Sequence, residues 1–129
     1  MYGIRPATQY SYCMHSCGET NCTWTLLNSR HFHVHSVLIV VAMEAEAAPF
    51  VEHLNLEQND DFFPPQVPFL AFSGNHEGCS LTVVTNGKDE LYGTGVDNCG
   101  TVPASLVTFL SLQKDASIDL VVNAGTCGG

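Results

Sequence analysis

Two continuous apolar runs stand out in the sequence. Residues 37–42 contain no polar side chain, and residues 118–122 are interrupted only by Asp119. Runs of this length, rich in β-branched residues, are typical of strands that are buried on both faces of a parallel sheet. We therefore predict a strand at each run and an α/β fold in which helices cover the sheet.

The residues between the two runs alternate between strand, helix and loop patterns. In chain order they predict a helix over 44–54, a loop over 59–65, strands over 69–73 and 80–85 joined by a turn at 75–78, a loop over 87–100, and a helix over 101–114. We expect Thr101 to cap the second helix and Leu106, Val107 and Leu110 to share one face of it. Because the last strand is as apolar as the first, we expect it to be central and covered by further strands.

Residues 1–33 show neither helical nor strand periodicity, and they hold three of the six cysteines. We interpret residues 1–33 as a poorly ordered leader of unknown role and residues 34–129 as a partial domain. No secretory signal with an apolar centre is evident, so we expect reduced cysteines and a cytoplasmic location.

The charge of the chain limits its partners. The formal net charge is −9, and residues 36–129 hold two lysines and no arginine against twelve acids. Binding of a phosphate backbone needs clustered Lys and Arg, so we expect no nucleic-acid partner. No apolar run approaches the roughly 18 to 20 residues of a membrane span, so we expect no membrane partner either.

Two cofactor patterns fail on their spacing. The leader's Cys13, Cys17 and Cys22, with the histidines from His15 to His35, match no common zinc spacing. Gly93, Gly95 and Gly100 form GxGxxxxG rather than the GxGxxG of dinucleotide-binding loops. We therefore expect neither a metal ion nor an organic cofactor.

Two places could carry chemistry. Glu46 follows the first buried strand, at the carboxyl edge where α/β proteins bind ligands, and it is either a general base or an ordinary acid of a helix start. Glu44 lies two residues away and must diverge from it on a helix, so at most one of the pair faces a site. The final loop contains Gly125, Thr126 and Gly128, and is either a ligand loop or a tight turn.

Three segments together resemble the plant-type 5′-methylthioadenosine nucleosidases of the purine nucleoside phosphorylase superfamily. They are AMEAEAAPFV at 42–51, GTVPASLVTFLSLQ at 100–113 and VVNAGTCGG at 121–129. The resemblance covers residues 36–129. It implies the N-terminal half of a three-layer fold, a mixed sheet with helices on both faces, and a homodimer.

The resemblance also implies roles for four residues. Glu46 matches the glutamate that activates the attacking water, and Met43 matches the methionine beside the ribose and thioether. Thr126 and Gly128 match the hydroxyl and the glycine of the ligand loop. The implied reaction hydrolyses the N-glycosidic bond of methylthioadenosine to adenine and 5-methylthioribose, without a cofactor.

The family takes its purine-protonating aspartate and a ribose-binding glutamate from a later segment. We therefore expect this chain by itself to be inactive or weakly active. Two alternatives stay open: a nucleoside phosphorylase of the same superfamily, and a non-catalytic product that associates with a full-length homologous subunit. Whether S-adenosylhomocysteine is also a substrate is open.

Overall fold

The computed structural model describes residues 33–126, so all but the last residue of the interpreted leader, and Cys127 to Gly129, lie outside the described residues. The described elements, in chain order, are β1 (Ser36–Val41), α1 (Glu44–His53), β2 (Glu57–Gln58), β3 (Leu70–His76), β4 (Cys79–Thr85), α2 (Thr101–Lys114) and β5 (Leu120–Asn123). Neither helix is long and apolar enough to cross a membrane.

The strands form one mixed sheet in the order β2-β3-β4-β1-β5. β1 runs parallel to both of its neighbours, β4 and β5. β3 is antiparallel to β4, with which it forms the predicted hairpin, and also to β2, a two-residue strand that the sequence pattern did not predict. The mixed α/β sheet of the prediction is confirmed.

The two helices cover opposite faces of the sheet. Successive strand residues point to opposite sides, and alternate residues of β1 contact different helices. Leu38 and Val40 of β1 pack in one apolar cluster with Val107 of α2. Val41 packs in a second cluster with Ala47 of α1. Strand β1 is therefore buried on both faces, which explains why its sequence contains no polar alternation.

Two details of α2 differ from the prediction. Gly100, not Thr101, occupies the N-cap, and no side chain there donates or accepts a capping hydrogen bond. The backbone of Gly100 has φ 138°, a conformation that side chains disfavour, so a glycine suits this position. Val107 is fully buried but Leu106 is 51% exposed, because neighbouring helix residues lie about 100° apart around the axis.

Strand β5 lies at an edge of the described sheet. The sequence pattern instead predicts a central position for it. Among the described strands it pairs only with β1, and all four of its residues are exposed. Leu120, Val121 and Val122 thus present apolar side chains at an edge strand, which natural sheets normally keep short, charged or covered. The predicted covering strands are not among the described residues.

A buried hydroxyl at the carboxyl end of β4 offers a stability test. Thr85 is fully buried beside Val41 of β1, and its Oγ1 has no hydrogen-bond partner among the described residues. A buried polar group without a partner costs about 1–3 kcal/mol, so we expect Thr85→Val to raise the free energy of unfolding by about 1 kcal/mol in urea denaturation.

Thr108→Val is the matched control, because the Thr108 hydroxyl donates to Ala104 O at 2.7 Å and its loss should bring no gain. A lower stability of Thr85→Val than of the parent protein would contradict this prediction.

Candidate functional site

The candidate site lies where β1 ends and α1 begins. Met43 is the N-cap residue of α1, with extended backbone at φ −114° and ψ 140°. Its carbonyl oxygen accepts hydrogen bonds from Glu46 N and Ala47 N, which start the helix. This sharp change from strand to helix brings Met43 and Glu46 to the carboxyl edge of the sheet.

Glu46 contacts the loop that follows β5. The Thr126 amide donates to Glu46 Oε1 at 3.0 Å, and the Thr126 hydroxyl donates to the same oxygen in a very short hydrogen bond. The two residues are eighty positions apart in sequence. The Glu46 carboxylate therefore joins the two places that could carry chemistry according to the sequence, the start of α1 and the final loop.

Gly125 lets the Glu46 carboxylate lie close to the loop backbone. A Cβ atom at Gly125 would lie 3.2 Å from Glu46 Oε2, which is tighter than an ordinary van der Waals contact. The carboxylate therefore lies against the loop backbone, with Oε1 held by Thr126 and Oε2 accepting no hydrogen bond from a described residue. One oxygen is fixed and the other can accept a hydrogen bond from a ligand or a water molecule.

Glu44 points the other way, toward the loop after β4. Its Oε2 lies 3.0 Å from Lys88 Nζ, and its backbone amide donates to Asp97 Oδ1 at 3.2 Å. The hydrogen bond with Glu44, and then the charge of Glu44, raise the pKa of Lys88. The prediction that Glu44 and Glu46 diverge is confirmed by these separate contacts.

Hydrogen bonds to Asp89 hold together the loop between β4 and α2. The Asp89 carboxylate accepts from the Thr94 hydroxyl at 2.7 Å and from the Tyr92 amide at 3.1 Å, and these bonds lower its pKa. The Asp89 amide donates to Val96 O at 2.9 Å, and Lys88 forms an isolated antiparallel bridge with Asp97. This loop therefore presents Lys88 and Asp97 side by side to the start of α1.

Sequence reasoning did not find Lys88 and Asp97. No local pattern could have identified them, because both act across the sheet edge on a helix that begins 53 residues before Asp97. Gly128, the fourth predicted site residue, lies outside the described residues. Across residues 33–126, no group of three or more His, Cys, Asp or Glu side chains could hold a metal ion.

The chain is similar in sequence and in fold to known proteins. Residues 36–129 match the family model described as the Phosphorylase superfamily. Over 97 residues, the chain is 42% identical to a 5′-methylthioadenosine nucleosidase of Arabidopsis thaliana and 39% identical to a 5′-methylthioadenosine/S-adenosylhomocysteine nucleosidase of the same plant.

These alignments cover 74% of this chain but only 35% and 37% of the two plant proteins. The solved structure of the Arabidopsis thaliana 5′-methylthioadenosine nucleosidase in its apo form superposes with a TM-score of 0.69 at 41% identity, over 74% of this chain and 38% of that one. The chain thus spans little more than a third of the length of these relatives. Because the family model matches most of its residues, the chain belongs to the phosphorylase superfamily.

Proposed function

We propose that residues 36–129 form the water-activating part of a 5′-methylthioadenosine nucleosidase. The observation that carries the proposal is the contact of the Glu46 carboxylate with Thr126, at the carboxyl edge of a parallel β1–β5 pair. Relatives named for this activity supply the substrate class, a purine nucleoside with a 5′-thioether.

In the proposed reaction, Glu46 accepts a proton from a water molecule that attacks the anomeric carbon of the ribose. Thr126 holds Oε1, so that Oε2 is directed to the water. As the ribose–purine bond breaks, its electron pair leaves with adenine, which takes a proton from the acid that the resemblance places in a later segment, and the sugar becomes cationic. A nearby carboxylate stabilises such a transition state electrostatically. The products are adenine and 5-methylthioribose.

Water is favoured over phosphate as the nucleophile. Phosphate sites usually recruit arginine, because its planar guanidinium binds two oxygens of the dianion at once. Residues 36–129 contain no arginine. The negative charge of the Glu46 carboxylate at the site would also repel a dianion.

We further propose that the protein forms a homodimer and lies in the cytoplasm. Val102, Leu106 and Phe109 are exposed on α2 at helical spacing, which favours association with a second subunit as a homodimer. Cys79 and Cys99 are both free thiols, as is usual in a reducing cytoplasmic location.

The 129-residue chain by itself should be nearly inactive toward methylthioadenosine. Its matched segment corresponds to 35% of the Arabidopsis nucleosidase. The resemblance implies that the purine-protonating acid comes from a later segment. General acid catalysis is worth about 10² to 10⁴ in rate, so we expect adenine release at least about 10² slower than with the plant enzyme. Release of adenine is measured by liquid chromatography, with the plant enzyme as the positive control. Turnover at the plant enzyme's rate would contradict the proposal.

The function itself is tested in a hybrid protein. In this hybrid, residues 36–129 replace the matching segment of the Arabidopsis nucleosidase, so that the Glu46 side of the site is completed by the rest of the plant protein. The hybrid should release adenine from methylthioadenosine. A folded hybrid without this activity would refute the assignment.

A further inference from the structure

We propose that Asp97 is a positioning residue that holds the first turn of α1, and with it the Glu46 carboxylate, against Thr126. This role deepens the function proposed above for Glu46 and rests on it. Asp97 itself touches neither Glu46 nor Thr126 in any described hydrogen bond; its contact is with the backbone amide of Glu44.

Helix α1 lacks a cap of its own. The N-cap residue is Met43, whose side chain makes no capping hydrogen bond. The first amides of a helix have no partner inside the helix, and they are normally satisfied by an oxygen of the N-cap side chain. Asp97 Oδ1 provides that oxygen from a distant loop, at 3.2 Å from Glu44 N. Its negative charge also faces the positive end of the helix dipole.

The loop holds Asp97 in place for this contact. Asp97 is paired with Lys88 in a backbone bridge, and the Cys99 amide donates to Asp97 O at 2.8 Å. Lys88 in turn reaches Glu44 Oε2 at 3.0 Å. The first residue of α1 is therefore bound twice by the same loop, once through its backbone and once through its side chain.

The order of the strands explains how this contact reaches the site. β1 lies between β4 and β5, and α1 starts directly after β1. Glu44 faces the loop after β4, and Glu46 faces the loop after β5, because two positions along a helix turn by about 200°. A rotation or fraying of this first turn would therefore move Glu46 away from Thr126.

The test is hydrogen exchange and carboxyl NMR on the full 129-residue chain, which requires no catalysis. Three variants change the charge equally: Asp97→Ala removes the acceptor, Asp97→Asn keeps an oxygen acceptor, and Glu90→Ala removes another exposed carboxylate of the same loop. In Asp97→Ala we expect the amides of Glu44 and Thr126 to exchange roughly fivefold faster, the effect of losing an N-cap. We also expect the Glu46 carboxyl carbon resonance to shift.

Asp97→Asn should stay near the parent protein, Glu90→Ala should match the parent protein, and the amides of β4 should keep their protection in all three variants. Asp97 would not be a positioning residue if Thr126 and the Glu46 resonance stayed unchanged, or if Asp97→Asn behaved like Asp97→Ala. A uniform loss of protection that included β4 would also overturn the role, because it would show general destabilisation.

These outcomes are separate from the fate of the proposed function. An inactive hybrid together with a responsive Thr126 amide would retain the positioning contact and reject the nucleosidase. An active hybrid with an unresponsive Thr126 amide would retain the nucleosidase and reject the positioning role of Asp97.

Discussion

Gly87→Ala should destabilise the protein severely. Gly87 is buried two residues after the end of β4 with φ +65°, and a Cβ atom there would lie only 1.6 Å from the carbonyl oxygen of Pro68. The obstacle is backbone, so it cannot move aside like the end of a flexible side chain. The left-handed conformation costs about 1–2 kcal/mol and overpacking about 1–3 kcal/mol more. We expect a loss of roughly 2–5 kcal/mol in urea unfolding.

Gly93→Ala is the matched control. Gly93 belongs to the same loop and has nearly the same φ, +64°, but nothing lies within 4 Å of its Cβ position. In Gly93→Ala the free energy of unfolding should fall only by the cost of the left-handed backbone conformation, about 1–2 kcal/mol. Equal losses in the two variants would contradict the prediction, because they would show that the close approach of Gly87 to the Pro68 carbonyl oxygen adds nothing to the cost.

Glu46→Gln should nearly abolish the activity of the hybrid protein. Glutamine keeps an oxygen that can accept from Thr126, so the geometry of the loop contact is retained while the basic carboxylate is lost. Loss of a general base typically lowers the rate by about 10² to 10⁴, and we expect kcat for adenine release to fall within that range. KM should change much less, because the substitution leaves the shape of the site intact.

Glu52→Gln is the control for this substitution. Glu52 is an exposed acid of the same helix, and its replacement makes the same change in charge. The hybrid with Glu52→Gln should retain its kcat. A similar kcat in both variants would show that Glu46 is not the general base.

The elements that the sequence predicts best are those whose pattern is local. β1 is recognisable because both of its faces are buried, and the β3–β4 hairpin because two apolar segments flank a short turn. The N-cap of α2 was assigned to the wrong residue, since Thr101 has the chemistry of a cap while the neighbouring Gly100 has the required backbone conformation. β2 is too short, at two residues, to leave a pattern.

The site is only partly predictable, because its contacts join distant segments. Glu46 and Thr126 could each be selected from their position after a continuous apolar strand, and their direct contact then follows from the parallel pairing of β1 with β5. Asp97 could not be selected, since it lies in a loop without periodicity and acts on a backbone amide of another element. A capping residue supplied by a remote loop leaves no trace near the helix that it caps.

Adenine release from methylthioadenosine by the unsubstituted hybrid, measured with and without phosphate, decides whether residues 36–129 form part of a nucleosidase. We expect release at a rate of the same order as that of the Arabidopsis nucleosidase, with 5-methylthioribose as the second product and no dependence on phosphate. A folded hybrid that releases no adenine, or that releases it only when phosphate is present, would contradict this proposal.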